Sequence, residues 1–123
     1  MEPKESIQSV RVILDGTNYV SWSNALSGFI KGRRLWRIIT GVHTVPIKQE
    51  GETDETFDDR LDEWEGKNYQ IVTWLRATTI SSISQQFGRY QDDDQYPSPA
   101  KAIWDFLKER YQTTSHAHQY QLL

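Results

Sequence analysis

The stretch Leu14-Asp15-Gly16-Thr17-Asn18-Tyr19-Val20-Ser21-Trp22 decides the fold of this chain. A short apolar run, Arg11-Val12-Ile13-Leu14, ends at the Asp-Gly-Thr turn, and it is either a brief strand or an extended arm packed on the core. Asn18 then has a side chain preferred at a helix N-cap. Apolar residues follow at spacings of 3, 4, 3 and 1, which predicts one buried helix stripe: Tyr19, Trp22, Leu26, Phe29 and Ile30.

The segment after this helix continues the helical pattern. Gly32 is a typical residue just past a helix end, and residues 33–40 predict a second short helix that Gly41 stops. Residues 42–54 contain Pro46 and few large apolar side chains, so we expect a long loop. The apolar spacing then predicts the longest helix over residues 58–78, with acidic residues in its N-terminal half, where the helix dipole favours them.

Two further helices are predicted in the C-terminal part. Ile80, Ile83 and Phe87 indicate a fourth short helix. Ser98 followed by Pro99 is typical of an N-cap and first helical residue, and it begins the fifth helix. The run Thr113-Thr114-Ser115 is expected to break that helix, and residues 116–123 resemble the first turns of another.

The predicted fold class is therefore all-α, with about five helices around one core. Residues 1–10 are expected to form a flexible tail, residues 11–112 one helical domain, and residues 113–123 a hinge and the start of a next helix. Four tryptophans, on four different helices, are expected to converge. Asn68 is polar on an apolar face, which predicts a buried hydrogen-bonding residue that fixes helix register. The predicted core residues are Tyr19, Trp22, Leu26, Leu35, Trp36, Trp64, Ile71, Leu75, Ile103, Trp104, Leu107 and Tyr111.

Composition narrows the class of protein. The chain has 123 residues, a formal net charge of −3 and no cysteine. These values argue against a free-standing nucleic-acid binder, a disulfide framework and a thiolate metal site. No apolar run reaches the ~20 residues that span a bilayer, and the N-terminus lacks a signal-peptide pattern. We expect an intracellular, cytoplasmic protein that does not bind a membrane.

Catalytic and metal-binding patterns are not evident in the sequence. No serine lies on a glycine elbow and no glycine-rich phosphate loop occurs. His43, His116 and His118 are expected to be incidental, since they lack the i, i+4 spacing of a two-histidine metal site. The run Asp92-Asp93-Asp94 is expected to be a solvated loop rather than a cation site. We therefore predict no catalytic residue, no metal and no cofactor.

Two charged clusters of opposite sign have a conservative and a functional interpretation. The basic cluster is Lys31, Arg33, Arg34 and Arg37, and the acidic run is Asp58, Asp59 and Asp62. In the conservative interpretation, both clusters are solvated charges near helix ends, where their sign is the one that the helix dipole favours. The functional hypothesis is that both are exposed and that they pair between copies of the chain.

Taken together, these motifs resemble the N-terminal part of the Gag polyproteins of plant Copia-type LTR retrotransposons. The resemblance covers roughly residues 12–111. It rests on Leu14-x-Gly16-x-Asn18-Tyr19-x-x-Trp22, then Leu35-Trp36-x-x-Ile39-x-Gly41, Pro46, Trp64 with Asn68 and Ile71, and finally Ala100-x-x-Ile103-Trp104-x-x-Leu107-x-x-x-Tyr111.

The resemblance implies a compact bundle like a capsid N-terminal lobe. It implies a non-catalytic module that associates with other copies of itself into virus-like particles enclosing the element's RNA. The Cys-rich zinc knuckle of such polyproteins is absent here, so RNA contact by this fragment is expected to be indirect or weak. Two alternatives stay open: a domesticated host adaptor that binds a protein or peptide in an interhelical groove, and a nucleic-acid-binding module.

Overall fold

The computed structural model describes residue 7, residues 10–92 and residues 94–122. Within these residues the chain forms five α-helices and no strand longer than a single bridge. The helices are α1 (Tyr19–Gly32), α2 (Trp36–Thr40), α3 (Asp54–Ala77), α4 (Ser81–Ser84) and α5 (Pro99–Leu122), with a 3-10 turn at Phe87–Tyr90 before α5. The predicted all-α class is confirmed.

The segment before α1 is an extended arm rather than a strand of a sheet. The Leu14 amide donates to the Thr78 carbonyl at 2.8 Å, and the Ile80 amide donates to the Leu14 carbonyl at 3.1 Å. Leu14 is fully buried, so these two bonds join a local apolar anchor to the end of α3. The arm thereby fixes the position of the turn that follows it.

Asn18 occupies the N-cap position of α1, but its side chain does not cap the helix. Its Oδ1 accepts from the Asp15 amide at 3.0 Å and its Nδ2 donates to the Ile13 carbonyl at 2.9 Å. Asp15 accepts in turn from the Thr17 amide at 2.9 Å. The side-chain amide of Asn18 therefore closes the turn between the arm and α1, and both its N–H donor and its oxygen acceptor form hydrogen bonds there.

The end of α1 differs from the prediction. Gly32 is still helical, and Arg34 has the left-handed conformation, with φ of 63°. The Arg34 amide donates to the Lys31 carbonyl at 2.9 Å and the Leu35 amide to the Ile30 carbonyl at 3.2 Å, which is the bond pattern of a Schellman motif. The next residue, Leu35, packs against the core. This apolar contact favours a helix end at Arg34, two residues after Gly32.

Two other boundaries also differ. α3 begins at Asp54 because the Thr53 side chain accepts from the Thr56 amide at 3.1 Å, an N-cap that the apolar spacing does not reveal. The interruption expected at Thr113–Ser115 is not present, and α5 is continuous to Leu122. Threonine and serine each cost only a few tenths of a kcal/mol in a helix relative to alanine, too little to end one.

The core lies where α1, α2, α3 and α5 meet. Nine predicted core residues are buried: Tyr19, Trp22, Leu26, Trp64, Ile71, Leu75, Ile103, Trp104 and Leu107. Leu35, Trp36 and Tyr111 are only partly buried and pack against the core from its edge. Trp22 stacks on Trp104 with ring centroids 5.3 Å apart, and Trp36 meets Trp104 edge-on at 5.2 Å.

Trp64 does not join that aromatic layer, although its side chain is buried. It lies outside the main cluster, beside a small cavity of about 220 Å³ lined in part by Val45, Pro97 and Pro99. The expectation that four tryptophans converge on one core is therefore wrong for Trp64. The spacing of apolar residues predicts which face of a helix is buried. It does not predict which other helix or loop packs on each end of that face.

Candidate functional site

The corner between α1 and α2 carries three exposed cations, Lys31, Arg34 and Arg37, which we call the basic corner. Lys31 Nζ lies 5.1 Å from the centroid of the Trp36 ring. No carboxylate lies within 4.0 Å of these three side chains among the residues that the structure describes. The basic corner is thus a concentration of positive charge without an ion-pair partner in the described part of its own chain.

Arg33 does not belong to this exposed set, although the sequence places it in the same cluster. Its guanidinium lies 3.5 Å from the centroid of the Phe29 ring and 5.8 Å from that of Trp74. One N–H also donates to the Phe29 carbonyl at 3.3 Å. Such cation–π contacts contribute about 0.5–2 kcal/mol. The prediction that Arg33 is exposed is wrong, because its side chain is half-buried and packs against Phe29 of α1 and Trp74 of α3. Its predicted role as a subunit contact stays a prediction.

The N-terminal half of α3 carries Asp58, Asp59 and Asp62, all exposed, which we call the acidic face. Neighbouring carboxylates in this part of the chain are paired: Asp54 with Lys48, Glu52 with Arg60 and Glu63 with Lys67. The three aspartates of the acidic face take part in no ion pair among the described residues. The structure therefore does not bring the basic corner and the acidic face together within one molecule.

A polar clamp holds the segment between α2 and α3. Arg60 donates through Nε and Nη2 to the two carboxylate oxygens of Glu52 at 2.7 and 2.9 Å, and Nη2 also donates to the Ile47 carbonyl at 3.1 Å. The Gln49 amide donates to the same carboxylate at 2.9 Å. The hydrogen bonds from Arg60 and Gln49 lower the pKa of Glu52 to about 2, and the pKa of Arg60 is raised.

Asn68 joins α3 to α5. Its Oδ1 accepts from the Ala100 amide at 2.9 Å and its Nδ2 donates to the Ser98 hydroxyl at 2.9 Å. The Ala100 amide is one of the donors that the first turn of a helix leaves without an intrahelical acceptor. Asn68 thus caps a helix that begins about 32 residues further along the chain. This is the buried hydrogen-bonding role predicted from its position on an apolar helix face.

Of the histidines and the aspartate run, the structure describes the side chains of His43, Asp92 and Asp94. The His43 side chain is exposed, while its backbone amide donates to the Arg37 carbonyl at 3.0 Å and its carbonyl accepts from Trp64 Nε1 at 3.4 Å. Asp92 accepts from the Asp94 amide at 3.0 Å, which closes a turn. Asp93 and the side chains of His116 and His118 lie outside the described residues. In the described part of the chain, no group of three or more potential ligands is arranged to hold a metal ion.

An apolar groove of about 870 Å³ lies between α5, residues 41–45 and residues 95–98. Its most prominent lining is an aromatic cluster in which Tyr90 contacts Tyr96 and Phe106, with ring centroids 5.2 and 5.3 Å apart. The Lys101–Asp105 ion pair lies along its α5 side. The sequence does not predict this groove, since two of its walls are irregular segments without apolar periodicity.

No helix among the described residues has the length and apolar character needed to cross a bilayer. The model of one family, the Gag-polypeptide of LTR copia-type, matches residues 1–47. The matched region contains the turn at Gly16, all of α1 and α2, the basic corner and Pro46. No curated protein and no solved structure matches the chain. The matched family is a structural, non-catalytic one, and the predicted resemblance to Copia-type Gag polypeptides is confirmed over the first 47 residues.

Proposed function

We propose that this chain is a non-catalytic structural module of a plant Copia-type Gag that self-associates in the cytoplasm into particles enclosing the element's RNA. The observation that carries the proposal is the pair of exposed charged surfaces, the basic corner and the acidic face, which have opposite sign and no ion-pair partners in the described part of the chain. The family match over residues 1–47 supports the same assignment.

The mechanism follows from the separation of the two surfaces. Because they occupy different places on one molecule, pairing them between copies is a head-to-tail contact that propagates. An exposed ion pair contributes only about 0–1 kcal/mol, so a single contact of this kind is weak. Repeated contacts on a closed or extended assembly add up, since each further contact is made at a high effective concentration.

The first experiment measures self-association of the full chain by sedimentation at about 0.05 M and about 0.5 M salt, where the screening length differs about threefold. We expect weaker association at high salt. Arg34→Glu with Arg37→Glu should reduce association, and Asp58→Lys with Asp59→Lys in the same chain should partly restore it. Arg33 is left unchanged because it packs on Phe29. If the arginine reversal leaves association intact, the contact lies elsewhere on the surface.

The second experiment concerns enclosure of RNA. Particles formed by the longer Gag region should protect the element's RNA from added nuclease, and negative-stain images should show closed shells. The charge-reversed chain should give neither result, while its melting temperature should remain within a few degrees of the parent. Protection of RNA without particles would instead support the nucleic-acid-binding alternative.

The apolar groove supports a second candidate function, that of an adaptor domain that binds a peptide. Tyr90, Tyr96 and Phe106 line the groove along α5. Extended peptides commonly bind in grooves that are lined by aromatic side chains. A peptide library displayed against the chain should then enrich a shared motif. Ala102→Trp, which fills the groove, should abolish that binding and leave salt-sensitive self-association unchanged. Enrichment that survives this substitution would place the peptide on another surface.

A further inference from the structure

Arg34 combines two unfavourable features in one residue. Its backbone has a φ of 63°, and among the described residues it is the one position without a glycine that has a positive φ. The left-handed conformation costs a residue with a Cβ about 1 kcal/mol relative to glycine. Its exposed guanidinium also belongs to the basic corner, together with the cations of Lys31 and Arg37. No carboxylate of the described residues lies within 4.0 Å of these three side chains.

The surrounding structure explains the conformation but not the choice of arginine. Both hydrogen bonds of the Schellman motif are made by backbone groups, at 2.9 and 3.2 Å, so the side chain of Arg34 takes no part in closing the helix. A glycine would make the same two bonds without the Cβ penalty, and it is the residue most often found there. The turn therefore needs nothing that is specific to arginine.

The left-handed turn also determines where this charge is presented. It joins α1 to α2 through residues 33–35, so Arg34 lies in the connection between Lys31 on the last turn of α1 and Arg37 in α2. The neighbouring Arg33 is held against Phe29 and Trp74 and does not share this position. The three exposed cations are thus carried by α1, α2 and the short hydrogen-bonded turn that joins the two helices.

We propose that Arg34 is the central contact residue of the basic corner and that its partner is the acidic face of α3 on a second copy of this chain. This inference rests on the proposed self-association and adds the residue on which the contact depends. A carboxylate group against the corner offsets the repulsion among its three cations. Asp58, Asp59 and Asp62 supply such a group on a helix face of opposite charge, which is also exposed and has no ion-pair partner among the described residues.

Two substitutions at the same position separate stability from contact. Arg34→Gly removes both the backbone penalty and the charge, so we expect the melting temperature to rise by about 3–6 °C and the concentration needed for self-association to rise about three- to fivefold. Arg34→Lys keeps the charge and the backbone penalty, so both quantities should stay close to those of the parent. Arg11→Gln, at an exposed arginine outside the corner, is the matched control and should change neither.

The outcomes are distinguishable from failure of the proposed function. If the parent chain does not self-associate at low salt, the proposed function fails and this inference fails with it. If the parent associates and Arg34→Gly associates equally well, only the role of Arg34 is overturned. An Arg34→Gly variant that melts no higher than the parent would show that the penalty does not exceed the entropy that glycine adds to the unfolded chain, and the argument from the choice of arginine would be overturned.

Discussion

Trp22 and Trp64 are both buried tryptophans, and they lie in regions that are held together by different interactions. Trp22 is fully buried, stacks on Trp104 and donates from Nε1 to the Thr78 hydroxyl at 3.1 Å. Trp64 is 3% exposed, lies outside the main cluster, and donates from Nε1 to the His43 carbonyl at 3.4 Å. The first region is an apolar core, and the second is a segment fastened to α3 by polar contacts.

The difference shows that two regions of one chain are stabilised by different interactions. Around Trp22 the energy comes mostly from apolar area removed from water, at roughly 25 cal/mol per Å². Around Trp64 the segment at residues 42–53 has no regular structure, so hydrogen bonds fix its path. Arg60 and Trp64 donate to its carbonyls, and the Glu52 carboxylate accepts from its Gln49 amide. We therefore expect the core to respond to truncation of large side chains and to alkaline pH, and the segment to respond to acid pH.

The largest expected effect is in the core. Trp22→Ala and Trp104→Ala should each lower the free energy of unfolding by about 3–5 kcal/mol, because each removes one half of the stacked pair and leaves a cavity. Thermal and denaturant melts measure this. Trp64→Ala is the comparison, and it should cost less, since Trp64 lies outside the main cluster. A parent-like melt for either core variant would contradict this account of the core.

The next effect tests the connection between α3 and α5. Asn68→Leu should lower the free energy of unfolding by about 1–3 kcal/mol, because the Ala100 amide then stays buried without an acceptor. Denaturant titration gives the value. Ser98→Ala, which removes only the hydroxyl that Asn68 contacts, should cost less. Equal losses in the two variants would show that the contact to Ser98, and not the cap, is what matters.

Alkaline pH should distinguish the core from the clamped segment. Burial raises the pKa of Tyr19 to about 12, against an ordinary value of 10.0. The folded state therefore holds this proton more tightly than the unfolded state. Its stabilising contribution is complete below pH 10 and is lost as the pH rises toward 12. Melting temperatures of the parent and Tyr19→Phe should diverge over that interval, and parallel curves would contradict the assignment.

Acid pH should give the smallest change, and its effect through Glu52 should fall on the segment. The pKa of Glu52 is lowered to about 2 from 4.5, so the contribution of its contact with Arg60 is complete above pH 4.5 and is lost as the pH falls toward 2. Glu52→Gln should remove this part of the pH dependence. Glu55→Gln, at an exposed residue of α3 with no ion pair in the described chain, is the control and should leave the curve unchanged.

The apolar core could be predicted from sequence because a helix repeats every 3.6 residues and its buried stripe repeats with it. The stripe from Tyr19 to Ile30 and the stripe of α5 are both observed. Trp74 is not among the predicted core residues, although it is buried and packs edge-on against Phe29, with ring centroids 4.8 Å apart. It lies on a different face of α3 from Ile71 and Leu75, because α3 is covered on more than one face.

The candidate surfaces were only partly predictable. The charge of the basic corner is evident in the sequence, but the packing of Arg33 on Phe29 depends on α3 lying alongside α1, a contact between residues far apart in sequence. The sequence does not predict the left-handed turn at Arg34, because Gly32, two residues earlier, is the residue type that usually follows a helix end. The groove depends on two irregular segments, whose positions no periodicity encodes.

The cap that Asn68 provides also determines how the bundle opens. The Ala100 amide has its acceptor on α3, so we expect its hydrogen to exchange with solvent when this contact between α5 and α3 opens. The first turn of α5 cannot fray by itself without leaving that amide unbonded, and it therefore belongs to the same cooperative unit as the middle of α3. A helix start that would ordinarily be among the first places to open instead reports on the integrity of the whole interface.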